Sequence, residues 1–272
     1  MINAPSLIGT HDILFITLDS LRYDVAQEAF HEGLTPNLAK LLPCDGWELR
    51  HTPGNFTFAA HQSFFAGFLP TPSSPGNHPR LFSAKFAGSE TSTENTAVFD
   101  TPDIISGFAA NQYRTVCIGG VGFFNKQNPL GNVLPNLFQD SYWCSEMGVT
   151  NAESTRHQVE QALLSISETE PTQRLFLFMN VSALHQPNCI FSPGAKIDSK
   201  ETQKAALKYV DSQMPALFNA MSARGAFLAI ICSDHGTAYG EDGFTGHRIN
   251  HPVVWNVPYM ELIVPADRGL SE

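Results

Sequence analysis

Apolar residues in this chain collect in short dense runs that end abruptly at polar, glycine-containing junctions. The run Gly225-Ala-Phe-Leu-Ala-Ile-Ile-Cys232 is apolar on both alternations, as a central strand covered on both faces must be. Asp12-Ile-Leu-Phe-Ile-Thr-Leu18 and Arg174-Leu-Phe-Leu-Phe-Met-Asn-Val181 read as two more buried strands, Tyr113–Ile118 as a fourth, and Asn256–Pro265 as a short strand of the same sheet. Helical patterns fall between them, over Leu34–Leu41, from near Thr57 to Gly67, and over Pro102–Asn111, Asn151–Ile166 and Ser199–Met221. In the last of these Ala205, Tyr209, Leu217 and Met221 should face inward, and Pro215 should kink the helix or split it. Strands alternating with helices predict a three-layer α/β/α sandwich around a largely parallel sheet. No linker composition interrupts the 272 residues, so one domain, 1–272, is expected.

The chemistry-bearing residues stand where the apolar runs stop. Side chains just past the carboxyl ends of strands in an open α/β sheet point into the functional crevice. The first strand stops at Asp19, the 174–181 strand leads to His185, and the 225–232 strand stops at Ser233-Asp234-His235-Gly236. Each has a structural alternative: Asp19 as a helix cap, Asp-His-Gly as an Asx turn, His185 as an ordinary core histidine. Thr57 opens a helix that Gly67 and Pro70 terminate; a hydroxyl there is either an N-cap or a nucleophile set against free N–H groups. His247 lies in the glycine-rich loop Gly240–His247, and Gly119-Gly-Val-Gly122 permits close backbone approach without matching a dinucleotide fingerprint. The Pro/Ser/Gly/Asn/Thr-rich stretch Thr71–Thr101 reads as a surface excursion, with a lid as one reading. Together with the loop around Phe123 to Asn136 it should carry specificity.

Composition narrows the partners. Hydrophobic residues make up 43% of the chain, enough for a large core, and no apolar run is long enough to span a bilayer, so no membrane insertion is expected. A net charge of −10 without any Lys/Arg cluster argues against nucleic acid polymers and anionic membranes. A small anionic ester substrate stays compatible, because a bound metal dominates its local field. Met1–Asp12 has neither a basic n-region nor a cleavable apolar stretch. The cysteines Cys44, Cys117, Cys144, Cys189 and Cys232 are odd in number and scattered, and they read as buried free thiols of a cytoplasmic protein.

Asp19, Thr57, Asp234 and His235 make a mixed oxygen and nitrogen ligand set that suits Zn²⁺ or Mn²⁺ better than Ca²⁺. The order of motifs, Asp19-Ser-Leu-Arg-Tyr-Asp24, Thr35-Pro-Asn37-Leu38, Thr57 to Pro70, Tyr209 with Asp211, Ser233–Gly236 with Gly240–Gly243, and Val257-Pro258, resembles the sulfatase-like branch of the alkaline phosphatase superfamily over nearly the whole chain. The resemblance implies Asp19, Thr57, Asp234 and His235 as the principal metal site. A threonine nucleophile is similar to that of nucleotide pyrophosphatase/phosphodiesterases. His185 and His247 match histidines that contact substrate or a second divalent metal in phosphoethanolamine transferases.

Two departures matter. Ser20 replaces the second aspartate of sulfatases, and the Gly119–Gly122 stretch lacks their Lys/His pair. A threonine would oxidise to a ketone, so formylglycine chemistry is closed. The expectation is therefore a metal-dependent hydrolase of phosphate mono- or diesters, with Thr57, His185 and His247 as the catalytic residues. The rivals are a phosphoryl or phosphodiester transferase using an organic acceptor, and a metal-binding scaffold without turnover.

Overall fold

The computed structural model describes residues 2–67, 82–83, 97–98 and 103–266. Seven strands form the central sheet: β1 (Asp12–Leu18), β2 (Glu48–His51), β3 (Arg114–Ile118), β4 (Asp140–Tyr142), β5 (Leu175–Val181), β6 (Phe227–Cys232) and β7 (Asn256–Val264). Their spatial order is β2-β7-β6-β1-β5-β3-β4. The pairs β6/β1, β1/β5, β5/β3 and β3/β4 are parallel, whereas β7 runs antiparallel to both β6 and β2. Five longer helices flank the sheet: α1 (Tyr23–His31), α2 (Thr57–Ala66), α3 (Ile104–Ala110), α4 (Ser154–Ser167) and α5 (Lys200–Arg224).

The alternation of each buried strand divides two cores. Leu14, Ile16 and Leu18 of β1 join Leu177 and Met179 of β5 in a cluster completed by Val25 of α1, Val159 of α4 and Leu217 of α5. Ile13 and Phe15 point to the other face, with Phe176, Phe178, Phe65 of α2 and Ile105 of α3. This is the expected α/β/α sandwich with a mostly parallel sheet.

Several local expectations change. Pro215 does not divide α5, which is one continuous helix from Lys200 to Arg224. Its inward face carries Ala206, Leu207, Val210, Met214, Leu217 and Met221, while Ala205 and Tyr209 are only half-buried. The Leu34–Leu41 helix contracts to Pro36–Ala39. All five cysteines are free, but only Cys117 and Cys232 are buried; Cys44 is exposed. The Thr71–Thr101 excursion lies outside the described residues apart from the paired two-residue strands Phe82–Ser83 and Ala97–Val98.

Candidate metal centre

Strand register brings the first two acids together. Because β1 and β6 are adjacent and parallel, with Thr17 opposite Cys232, their next residues but one, Asp19 and Asp234, leave the sheet at the same level. The chain turns sharply there: Ser20 takes a left-handed φ of 65°, uncommon for a non-glycine, and its N–H donates to Asp234 Oδ1 at 3.1 Å. Gly236 is required by space, since a Cβ there would sit 1.8 Å from the carbonyl oxygen of Val253. Thr52, just past β2, donates its hydroxyl to the Asp234 carbonyl and so anchors the loop that delivers α2.

Asp19, Asp234 and His235 are fully buried, and one ligand atom from each falls within 4.8 Å of the others. Thr57 Oγ1 lies 3.4 Å from Asp19 Oδ2 and 3.3 Å from His235 Nε2. Neither structural alternative appears. The N-cap of α2 is Phe56, that of α1 is Arg22, and neither helix start has a side-chain cap hydrogen bond. Thr57 is the first residue of α2, with its hydroxyl turned toward the acids.

The hydrogen bonds assign the protons. His235 Nδ1 donates to the Gly236 carbonyl at 2.8 Å, which leaves the Nε2 lone pair facing the cluster, the tautomer a metal ligand needs. His61 Nδ1 donates to the Thr57 carbonyl at 2.7 Å, and its Nε2 accepts from Thr17 at 3.0 Å. That commitment leaves Asp234 Oδ2, 3.8 Å from His61, buried with no hydrogen-bond partner. A bare carboxylate oxygen inside a protein is costly. A divalent cation shared with Asp19, His235 and Thr57 would satisfy it, so the donor set fits a divalent metal.

Titration behaviour agrees. Burial pushes Asp234 well above the usual carboxylate range, and the neighbouring Asp19 charge adds to it. Burial works the same way on Asp19, but His185, His235 and the 3.0 Å hydrogen bond from Asn180 outweigh it and hold this carboxyl below its ordinary value. Burial lowers His235, and it brings His61 down to about 4.

A cleft of about 480 Å³ opens beside the cluster, lined by Thr57, Phe123, Asn125, His185, His247 and Arg248 among others. His185 Nδ1 donates to the Gln186 carbonyl at 2.6 Å. The His247 ring centroid stands 4.5 Å from that of His235 and 5.7 Å from that of His185. Burial, then His235 and His185, takes His247 down to about 4, so it is a neutral imidazole at pH 7. All six residues singled out from sequence thus converge, and the 123–136 loop reaches the cleft with Phe123, Asn125, Asn128 and Leu130. Sequence reading missed the roles of His61, Asn180 and Arg248. His61 alone carried a signal, four residues after Thr57 on one helix face.

The architecture and the clustered acids define a class before any relative does: an α/β/α sandwich with a candidate metal centre at the carboxyl edge of its sheet. Comparison with solved structures then identifies the fold as that of the alkaline phosphatase superfamily. The chain is similar to the lipoteichoic acid synthase LtaP from Listeria monocytogenes (TM-score 0.62, 11% identity, 94% of this chain and 66% of that one). It is also similar to the C-terminal periplasmic domain of EcEptC from Escherichia coli in complex with Zn (TM-score 0.62, 13% identity, 95% and 73%). A third likeness is to a protein in the alkaline phosphatase superfamily from Vibrio parahaemolyticus (TM-score 0.56, 18% identity, 96% and 61%). The chain spans about two thirds of the length of these proteins. No protein family profile and no curated protein matches the sequence.

Proposed function

We propose that this chain is a divalent-metal-dependent hydrolase of small phosphate esters, mono- or diesters, with Thr57 as covalent nucleophile. The observation that carries the reading is the Thr57 hydroxyl, which sits between Asp19 Oδ2 and His235 Nε2 at the open start of α2 instead of capping it. Asp19, Asp234, His235 and Thr57 would hold the metal; the likeness to a zinc-bound EcEptC domain supports zinc, with manganese the alternative. When bound, the metal supplies the positive charge that lowers the hydroxyl pKa of Thr57 and polarises the phosphoryl group.

The chain's own residues supply the rest. Thr57 Oγ1 gives up its proton to solvent and forms a bond to phosphorus as the bond from phosphorus to the leaving alkoxide breaks. The alkoxide takes a proton from solvent and leaves as the alcohol, and Thr57 carries the phosphoryl group, still esterified when the substrate is a diester. The uncapped N–H groups at the start of α2 face the incoming anion. His185 and His247 line the cleft where its oxygens would lie, or hold a weaker second metal. Water then attacks phosphorus and returns a proton to Oγ1, releasing phosphate from a monoester or the remaining phosphate monoester from a diester and regenerating Thr57.

Thr57→Ala should lower kcat on the order of 10³-fold or more while Asp19, Asp234 and His235 still retain most of the metal. Thr57→Ser should keep most activity, and mass spectrometry of quenched wild type should show a phosphoryl adduct on the peptide containing Thr57. An alanine variant that turns over normally with full metal would remove the nucleophile from the reading. The likeness to a lipoteichoic acid synthase supports a second reading, in which an organic acceptor replaces water. Product formed only when an alcohol acceptor is present, without matching phosphate release, distinguishes it.

A further inference from the structure

We propose that Arg248 is a specificity residue that recognises a second anionic group on the substrate, separate from the phosphoryl group transferred at Thr57; this rests on the phosphate-ester reading above. Seven arginines lie within the described residues. Arg22, Arg50, Arg114, Arg156, Arg174 and Arg224 each have a carboxylate oxygen within 4.0 Å, while Arg248 has none among the described residues. In a chain of net charge −10 an arginine with no acid beside it among the described residues is notable, and this one lines the cleft beside Thr57 and His247.

Its placement is built. Arg248 adopts a left-handed φ of 69°, its N–H donates to the Asn55 carbonyl at 2.8 Å, and its guanidinium lies over the Phe56 ring at 5.1 Å from the centroid. Phe56 immediately precedes Thr57, so the charge is held on the residue next to the candidate nucleophile. Asn55 reaches back with its side-chain amide to the Ile249 carbonyl at 3.5 Å, which ties both neighbours of the arrangement.

Placement assigns the role. Asp19 and Asp234 lie together inside the buried cluster, whereas Arg248 is carried on the wall of the cleft. Among the described residues that line the cleft, Arg248 is the one lysine or arginine. About 480 Å³ is far more than a lone phosphate fills and lies within the ~300–1,000 Å³ usual for small-molecule sites. A carboxylate or second phosphate a few bonds from the reacting phosphorus would reach this guanidinium and form a bidentate, charge-assisted pair.

Non-hydrolysable probes separate binding from turnover. Zinc-loaded protein is titrated calorimetrically with ethylphosphonate, which has one anionic group, and with phosphonoacetate and 3-phosphonopropionate, which add a carboxylate at two tether lengths. Wild type should bind at least one carboxylate probe ~10-fold tighter than ethylphosphonate. Arg248→Ala should erase most of that preference, and Arg248→Met, which keeps an apolar stem on Phe56, should do the same with wild-type zinc content. Equal affinity for all three probes in wild type, or equal weakening of all three in both variants, overturns the second-anion role while leaving the phosphate-ester reading in place. Failure of zinc-loaded wild type to bind any phosphonate overturns that reading and this inference with it.

Discussion

At the scale of the residue, the candidate centre is a problem of uncompensated charge. Asp19 receives hydrogen bonds from Ser20 Oγ and Asn180 Nδ2, whereas Asp234 Oδ2 receives none, and both carboxyls are fully buried. Burial first, and then the Asp19 charge, pushes Asp234 high, while His185, His235 and the Asn180 hydrogen bond overcome burial and hold Asp19 low. Replacing Asp234 by Asn removes a charge but keeps the shape. Asp234→Asn should therefore raise the melting temperature of metal-free protein, by ~3 °C, while abolishing both zinc retention and any zinc-dependent rise. Calorimetry with elemental analysis checks this; full zinc occupancy in the variant would mean the ligands are elsewhere. Asp19, Asp234 and His235 were legible because each interrupts or follows an apolar run. Asn180 was not, since it lies inside such a run and only the pairing of β1 with β5 brings it to Asp19. Arg248 carries no periodic signal at all.

At the scale of the element, motifs that looked separate in sequence turn out to be fasteners. Asp211 on α5 accepts hydrogen bonds from Leu38 N at 2.7 Å, Asn37 N at 3.2 Å and Asn37 Nδ2 at 3.0 Å, pinning Pro36–Ala39 against the long helix. Asp211→Ala strands two backbone donors and should cost about 3 kcal/mol in urea unfolding, with zinc content and turnover retained. Loss of the metal instead would show that the fastener also shapes the site. The second fastener is Arg22, 2% exposed, which binds Asp24 at 2.8 Å and also Glu241, so it joins the start of α1 to the loop that continues to His247 and Arg248.

Burial tends to raise Asp24 and Glu241, but the hydrogen bonds from Arg22 prevail and both sit below the ordinary carboxylate range. Carboxyls depressed in the folded state stabilise it above their unfolded pKa, near 4, and that stability is lost as pH falls through the lower folded values. Arg22→Met should accordingly shift the acid-unfolding midpoint, followed by circular dichroism, to higher pH; an unmoved midpoint would make the contact incidental. Strand existence was readable wherever both faces are buried. Glu48–His51 was missed because all four residues are exposed on an edge, and the reversed direction of β7 has no signature in its composition.

At the scale of the whole molecule, a metal at this place would fasten loops to a sheet that is already closed. β1 and β6 are paired over six residues before Asp19 and Asp234 are reached, and both strands lie in the interior of the sheet with cores on either side. What would depend on the cation is the start of α2 and the chain from Asp234 to His251, which meet at the cluster through Thr57 and His235. Chelation should therefore leave one cooperative unfolding transition, lowered by ~5–10 °C when the metal was present at about 100 times its dissociation constant, equivalent to about 2.7 kcal/mol. Hydrogen exchange should rise over residues 52–60 and 234–251 and stay unchanged in β1 and β6, because the strand ladder does not require the metal. Zinc added back should restore both the melting temperature and the protection. If chelation leaves the melting temperature and all of these amides unmoved in protein shown to have carried zinc, the cation binds somewhere other than Asp19, Asp234 and His235.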